Sequence, residues 1–91
     1  MELRWTGKAL SDLTRLYEFL ATVNKPAAAR AVQALTNAAS SLVANPRIGE
    51  RLEEFEPREI RRVLVGRYEL RYEIDAATIH VLRLWHTREE R

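Results

Sequence analysis

Cysteine is absent from this 91-residue chain, which excludes both a disulfide framework and a thiolate metal site. Two separated histidines, His80 and His86, do not replace one, and neither a metal nor a cofactor is expected. Long apolar runs are also missing. Nothing approaches the ~20 residues of a membrane-spanning helix, and the opening MELRWTGK has no signal-peptide core, so a cytoplasmic protein with no membrane partner is expected. Gly-rich phosphate loops, HExxH and paired-carboxylate spacings do not occur. Ser11, Ser40 and Ser41 lie in helical patterns with no sequence cue for a triad. Lysine is scarce: Lys8 and Lys25 stand against thirteen arginines.

What remains is a short chain rich in arginine, whose flat and permanently charged fork suits phosphate, carboxylate or stacking partners. The net charge is only +2. Arg47 to Arg91 holds ten arginines and ten acidic residues, so the C-terminal half is no polybasic arm. Nucleic-acid binding is permitted by this balance without being demanded. The length suits one domain spanning residues 1–91, with no repeat, linker or low-complexity segment.

Taken in order, Glu2-Leu3-Arg4-Trp5 alternates like a short edge strand. Thr6 suits the N-cap of a helix over Lys8 to Val23. The apolar stripe of that helix is Ala9, Leu10, Leu13, Leu16, Tyr17, Leu20 and Val23, with Asp12, Arg15, Glu18 and Thr22 on the opposite side. Asn24-Lys25-Pro26 restarts the chain as a second helix, roughly Pro26 to Ala44. Its stripe (Ala28, Ala31, Val32, Leu35, Ala38, Ala39, Leu42, Val43) is rich in alanine, which lets two helices approach closely as an antiparallel hairpin. Asn45-Pro46 stops it. Pro46 to Pro57 is irregular and acidic, with Gly49 at a turn and Leu52 and Phe55 tucked inward.

From Arg61 onward the period changes to two. Tyr68, Leu70, Tyr72 and Ile74 alternate with Glu69, Arg71, Glu73 and Asp75, flanked by apolar runs at Arg61–Val65 and Thr78–Trp85. This predicts a three-stranded antiparallel meander beneath the helices: a two-layer α+β fold. Gly66-Arg67 suits a two-residue II′ turn, pairing Val65 with Tyr68, Val63 with Leu70 and Arg61 with Tyr72. At the second turn a two-residue Ala76-Ala77 loop would set Arg83 opposite inward Leu70, a costly burial. A three-residue loop is therefore expected, pairing Leu70 with Leu82, Tyr68 with Leu84 and Glu69 with Arg83. The outward face would then carry Arg62, Arg67, Arg71 and Arg83 beside Ile60, Leu64, Ile79, Val81 and Trp85, a mixture that suits a partner. His80 is expected beside Tyr72 as a structural residue.

One reaction class fits these side chains, metal-free cleavage of RNA. It needs a group to take the 2′-OH proton, another to protonate the leaving oxygen, and cations on the transition state. His86, Glu50 or Glu54, and Arg62, Arg67 or Arg83 are the candidates.

The order of these pieces resembles the RelE/ParE family of bacterial toxins. The matching residues are Trp5-Thr6 before Ala9…Asp12-Leu13, then Asn45-Pro46-Arg47-Ile48-Gly49. Arg61-Arg62-Val63…Gly66-Arg67-Tyr68…Leu70…Tyr72 and Ile79 through Arg88 complete them. The resemblance implies the toxin of a type II toxin–antitoxin pair, with a cognate antitoxin as partner and DNA contacted only through it. Two activities occur in such a family: inhibition of DNA gyrase, associated with growth inhibition and plasmid stabilisation, and cleavage of mRNA on the ribosome. A third possibility is a non-toxic module that only binds antitoxin. RelE-like nucleases usually carry basic residues, often lysines, ahead of and along the meander, and a Tyr or His-Tyr near the C-terminus. Here both lysines fall in the helical region and no tyrosine follows Tyr72, so the resemblance favours the gyrase inhibitor. Arg67, Arg83, Trp85, His86 and Arg88 are then the expected target-binding residues, with Arg83 held by Glu69, Trp85 stacked near Arg67, and the segment to Arg91 free to meet a target.

Overall fold

Five strands form one sheet in the order β1-β5-β4-β3-β2, and the computed structural model describes residues 1–88. The strands are β1 (Glu2–Trp5), β2 (Glu50–Arg51), β3 (Glu59–Val65), β4 (Tyr68–Asp75) and β5 (Thr78–His86). Two helices, α1 (Gly7–Ala21) and α2 (Lys25–Ser41), lie between β1 and β2 in the chain. β1 runs parallel to β5, and the other pairings are antiparallel. The expected α+β order of strand, helical hairpin and meander is present. No described helix is long and apolar enough to cross a membrane.

Thr6 begins α1 as expected. Its hydroxyl oxygen accepts from the Ala9 amide at 3.1 Å and its O–H donates to the Val81 carbonyl at 2.9 Å, so one side chain caps the helix and pins it to β5. Asn24 caps α2 through the Ala27 amide, with Pro26 in the first turn. Ala9 of α1, Ala39 of α2 and Leu42 at the C-cap of α2 pack on Leu70, Tyr72, Ile74, Ile79 and Val81. The inward face of β4 is thus the one that alternation identifies.

The β3–β4 turn has the expected register, with Val65 opposite Tyr68 and Arg62 opposite Arg71. Gly66 has φ +60° and Arg67 does not share a positive φ, which is the II′ pattern. The β4–β5 turn differs from expectation. Asp75 faces Thr78 across a two-residue Ala76-Ala77 loop, and Ala76 takes φ +53°. A bulge then absorbs Leu82, so Leu70 meets Leu84 and Arg71 meets Arg83. The bulge removes the objection to the shorter turn, because one extra residue carries Arg83 away from Leu70.

Two corrections follow from this register. Ile79 and Val81 belong to the buried core facing the helices, not to the outward face. His80 stands opposite Glu73 and Arg4, not beside Tyr72.

Tyr72 has a different partner. From the core its hydroxyl donates to the Pro46 carbonyl at 2.7 Å and accepts from the Gly49 amide at 3.0 Å. A Cβ at Gly49 would sit 2.6 Å from both that oxygen and the Arg62 carbonyl, so close approach demands glycine here. Arg61 donates to the Gly49 carbonyl at 2.7 Å, and Arg47 grips Glu59 with two bonds near 3 Å. The Pro46–Gly49 segment is thereby fastened to β3 and β4.

Candidate target-binding surface

The seam between α1 and β5 is closed by a carboxylate that helical periodicity assigns to solvent. Asp12 is only 4% exposed. It accepts from Arg83 at 2.7 and 3.1 Å, from Arg15 at 3.0 Å and from the Leu84 amide at 3.1 Å. Burial pushes its carboxyl up, but the bonds from Arg83 and Leu84 and the charges of Arg83 and Arg15 outweigh it, leaving the pKa below the ordinary value. Arg83 is therefore held by Asp12 and not by Glu69, which faces Trp85.

On the other face of the sheet the arginines are matched to carboxylates. Glu69, itself buried, accepts from Arg62 at 3.2 Å and Arg71 at 3.0 Å, and Arg62 also donates to Glu50 at 2.8 Å. Arg58 takes Glu73 in a two-bonded pair near 2.9 Å. The hydrogen bond from Arg58 is the main reason the Glu73 carboxyl lies below its ordinary range. The Arg71 guanidinium lies 4.8 Å from the Trp85 ring and 5.6 Å from that of Phe55. Trp85 thus makes its cation–π contact with Arg71 rather than Arg67, and it is buried. Ile60 is buried too, with its carbonyl receiving the Leu52 amide. Of the apolar residues expected on the outward face, Leu64 is the one left exposed.

Four of the five expected target-binding residues collect at one end of the molecule. His86 meets Tyr68 edge to face at 5.3 Å, and its Nδ1 accepts from the Arg88 amide at 3.1 Å. The Thr87 amide donates to the Arg67 carbonyl at 2.8 Å, tying the first hairpin tip to the end of β5. Arg67 and Arg88 are exposed beside Trp85 and His86. Arg83 alone is turned toward the helix. Residues 89–91 of the expected segment lie outside the described residues.

Of the nuclease candidates only His86 and Arg67 share an end of the molecule. Arg62 is engaged by two glutamates and Arg83 by Asp12, while Glu50 lies on β2 and His86 on β5. Three strand spacings separate those strands, roughly 14 Å across the sheet, too far for both groups to serve one phosphate.

Sequence periodicity misses Arg15 and Phe19. With Leu16, Leu20, Leu84 and Trp85, Phe19 borders an open groove of about 490 Å³ between α1 and the end of β5. Phe19 is 72% exposed, and its place off the apolar stripe of α1 is the signal that could have found it.

A family model described as ParE toxin of type II toxin-antitoxin system, parDE, matches residues 3–91. Toxin RelE2 of Caulobacter vibrioides is 35% identical over 82 residues, covering 90% of each chain. A solved structure described as a chromosomal ParDE TA system from P. aeruginosa has the same fold, with a TM-score of 0.79. It is 24% identical, and the match covers 94% of this chain and 95% of that one.

Proposed function

Because the chain belongs to the ParE family of toxins from type II toxin–antitoxin systems, we infer that it inhibits DNA gyrase through the surface around Arg67, His86 and Arg88, with Trp85 of the same strand end buried. Family membership implies an antitoxin partner. One observation favours a binding inhibitor over a nuclease: His86 has Arg67 nearby but no candidate acid–base partner in Glu50, which lies three strands away, and Arg62 and Arg83 are engaged by carboxylates. The exposed Arg67 and Arg88, next to an aromatic cluster, suit contact with a protein target.

Expression without antitoxin tests this reading. Filamentation with DNA-damage signalling, and loss of supercoiling by purified gyrase, are expected. Immediate translation arrest with cut mRNA would overturn it in favour of the ribosome-dependent endonuclease, and healthy growth would leave an antitoxin-binding module. His86→Gln divides the first two. A nuclease using His86 for proton transfer loses about 10²–10⁴ in rate, whereas the gyrase inhibitor is weakened only through its lost contacts.

A further inference from the structure

The end of β3 that leads into the first hairpin turn has no strand on its outer side. β2 covers only Arg62, opposite Glu50, and Arg61, opposite Arg51. The Leu52 amide then reaches the Ile60 carbonyl, so Ile60, Arg62 and Leu64 turn their backbone groups away from β4. Beyond Glu50 the chain leaves this edge, because the Gly49 amide is drawn inward to the Tyr72 hydroxyl at 3.0 Å. Among the described residues nothing pairs with the backbone N–H and C=O of Leu64. Such an edge is ordinarily guarded by a lysine, a proline or a covering loop. Here its neighbours are apolar and open to solvent: Leu64 is 60% exposed, and Ile48, where the chain turns off, 62%. Arg47, Arg58, Arg61 and Arg62 each hold a glutamate. Arg67, exposed at the hairpin tip, has no such partner among the described residues.

We propose that this open edge of β3 takes up an extended segment of the target protein as an added strand. The segment bonds to the Leu64 backbone, lays apolar side chains against Leu64 and Ile48, and sets a carboxylate on Arg67. Strand addition draws affinity from main-chain bonds and selectivity from alternate side chains. An extended chain supplies both the donor and the acceptor that Leu64 lacks, and a carboxylate complements the uncompensated cation. A second copy of this chain does not fit. Two-fold antiparallel pairing on Leu64 would set Gly66 of one copy opposite Arg62 of the other, where Glu50 already lies. The edge also runs into Arg67, whose carbonyl receives the Thr87 amide, and is therefore continuous with the surface assigned to the target. The identity of the occupant rests on the gyrase-facing reading given above; the strand-accepting edge does not.

Amide exchange at Leu64 reads the edge directly. In the free toxin this amide should exchange quickly, while those of Val63 and Val65, bonded to β4, stay protected. A short synthetic peptide alternating valine and threonine, with glutamate at both ends, should slow Leu64 exchange at least about tenfold. The same peptide with its backbone amides methylated should not. Purified gyrase should protect Leu64 at least about tenfold as well. Leu64→Pro deletes the outward N–H and leaves the β3–β4 bonds in place. It should raise the toxin concentration that stops supercoiling at least about 30-fold, whereas Leu64→Thr, which keeps the N–H, should raise it less than about fivefold. If Leu64→Pro fails to fold, a synthetic chain methylated on the Leu64 nitrogen makes the same deletion with the side chain kept. A Leu64 amide left unprotected by both peptide and gyrase would overturn the proposal, as would equal losses from the two substitutions. Protection that rises with toxin concentration alone would give the edge to a second copy. Protection by the antitoxin but not by gyrase would give it to the antitoxin, and either result removes the target from this edge. Should the peptide protect Leu64 while gyrase is neither bound nor inhibited, the functional reading fails and the strand-accepting edge stands.

Discussion

The two hairpins of the meander solve the same problem by different means. In the first, Gly66 takes a backbone angle that glycine adopts freely, and β3 and β4 pair residue for residue from Val65–Tyr68 to Glu59–Ile74. In the second, alanine is forced into the left-handed region at Ala76, and the ladder skips a residue at Leu82. The skip places Arg83 on Asp12, four polar contacts deep in the helix–sheet seam. The first register is set by its turn; the second is set far from its turn, by a buried ion pair.

The two hairpins share β4, so the largest effect should come from its centre. Leu70→Ala removes a fully buried side chain paired with both Val63 and Leu84. It should cost about 2–5 kcal/mol in urea unfolding. An effect under 1 kcal/mol would mean that the two hairpins do not share a core there.

Asp12→Ala should strike the second hairpin selectively. Removing one partner of a buried pair costs 3–5 kcal/mol in general, and with a third of the Arg83 side chain in water about 3 is expected. Amide exchange should quicken around Leu82–Leu84 while Val63–Val65 stays protected. The pH dependence has a definite sign. The folded-state pKa of Asp12 lies below 3.8, so the unfolded chain takes up the proton first as pH falls. The stability from this clasp is complete above that value and is lost as pH drops through the folded-state pKa. Asp12→Asn should flatten that acid-side decline. An unchanged profile would mean that other carboxylates, such as Glu59 and Glu73, carry it.

Gly49→Ala tests the support under the first hairpin. The added carbon meets a backbone oxygen, which cannot swing aside, and about 1–3 kcal/mol should be lost. Ala76→Gly should act in the opposite sense on the second hairpin. Relief of left-handed strain, about 1–2 kcal/mol, exceeds the added chain entropy of glycine and leaves a gain of about 0.5–1 kcal/mol in thermal unfolding. The smallest effect on stability should come from Arg67→Ala with Arg88→Ala, two exposed positions where a change within about 0.5 kcal/mol is expected. Growth inhibition should nevertheless be lost. Full toxicity in a folded double variant would remove the hairpin tip and strand end from the target surface. Trp85→Ala is a poorer probe than its position in the sequence suggests, because the buried ring supports Arg71.

The same contrast explains what was legible in the sequence. Alternation from Tyr68 to Ile74 identifies the buried face, and a Gly-X pair at the right place sets the first register. Thr6 and Asn24 mark helix starts because their side chains satisfy amides three residues on. The second register was not legible, because its deciding residue, Asp12, lies 71 positions from Arg83 and carries every mark of a solvent-facing helix residue. Once the bulge is missed, Ile79 and Val81 turn to the wrong face and Arg83 is given to Glu69. The site suffered accordingly. Arg67, His86 and Arg88 do gather at one end, but the exposed apolar surface expected on the sheet is on α1 and just beyond it instead, at Leu10, Phe19 and Val23. A count of apolar residues at helical spacing cannot separate those that face the sheet from those left outside.

The parallel pairing of β1 with β5 has a consequence for synthesis. Strand β1 is held by β5, made about 70 residues later, with Glu2 opposite Thr78 and Trp5 opposite Val81, and the Asp12 clasp likewise waits for Arg83. A nascent chain lacking β5 has no partner for its N-terminal strand, and Asp12 keeps only Arg15 as counter-charge. A partly translated toxin should therefore be harmless, and activity should arrive only once β5 has been made. Chains cut before Thr78 should be unfolded by circular dichroism and non-toxic when expressed, while a toxic truncation would show that the strands assemble in another order.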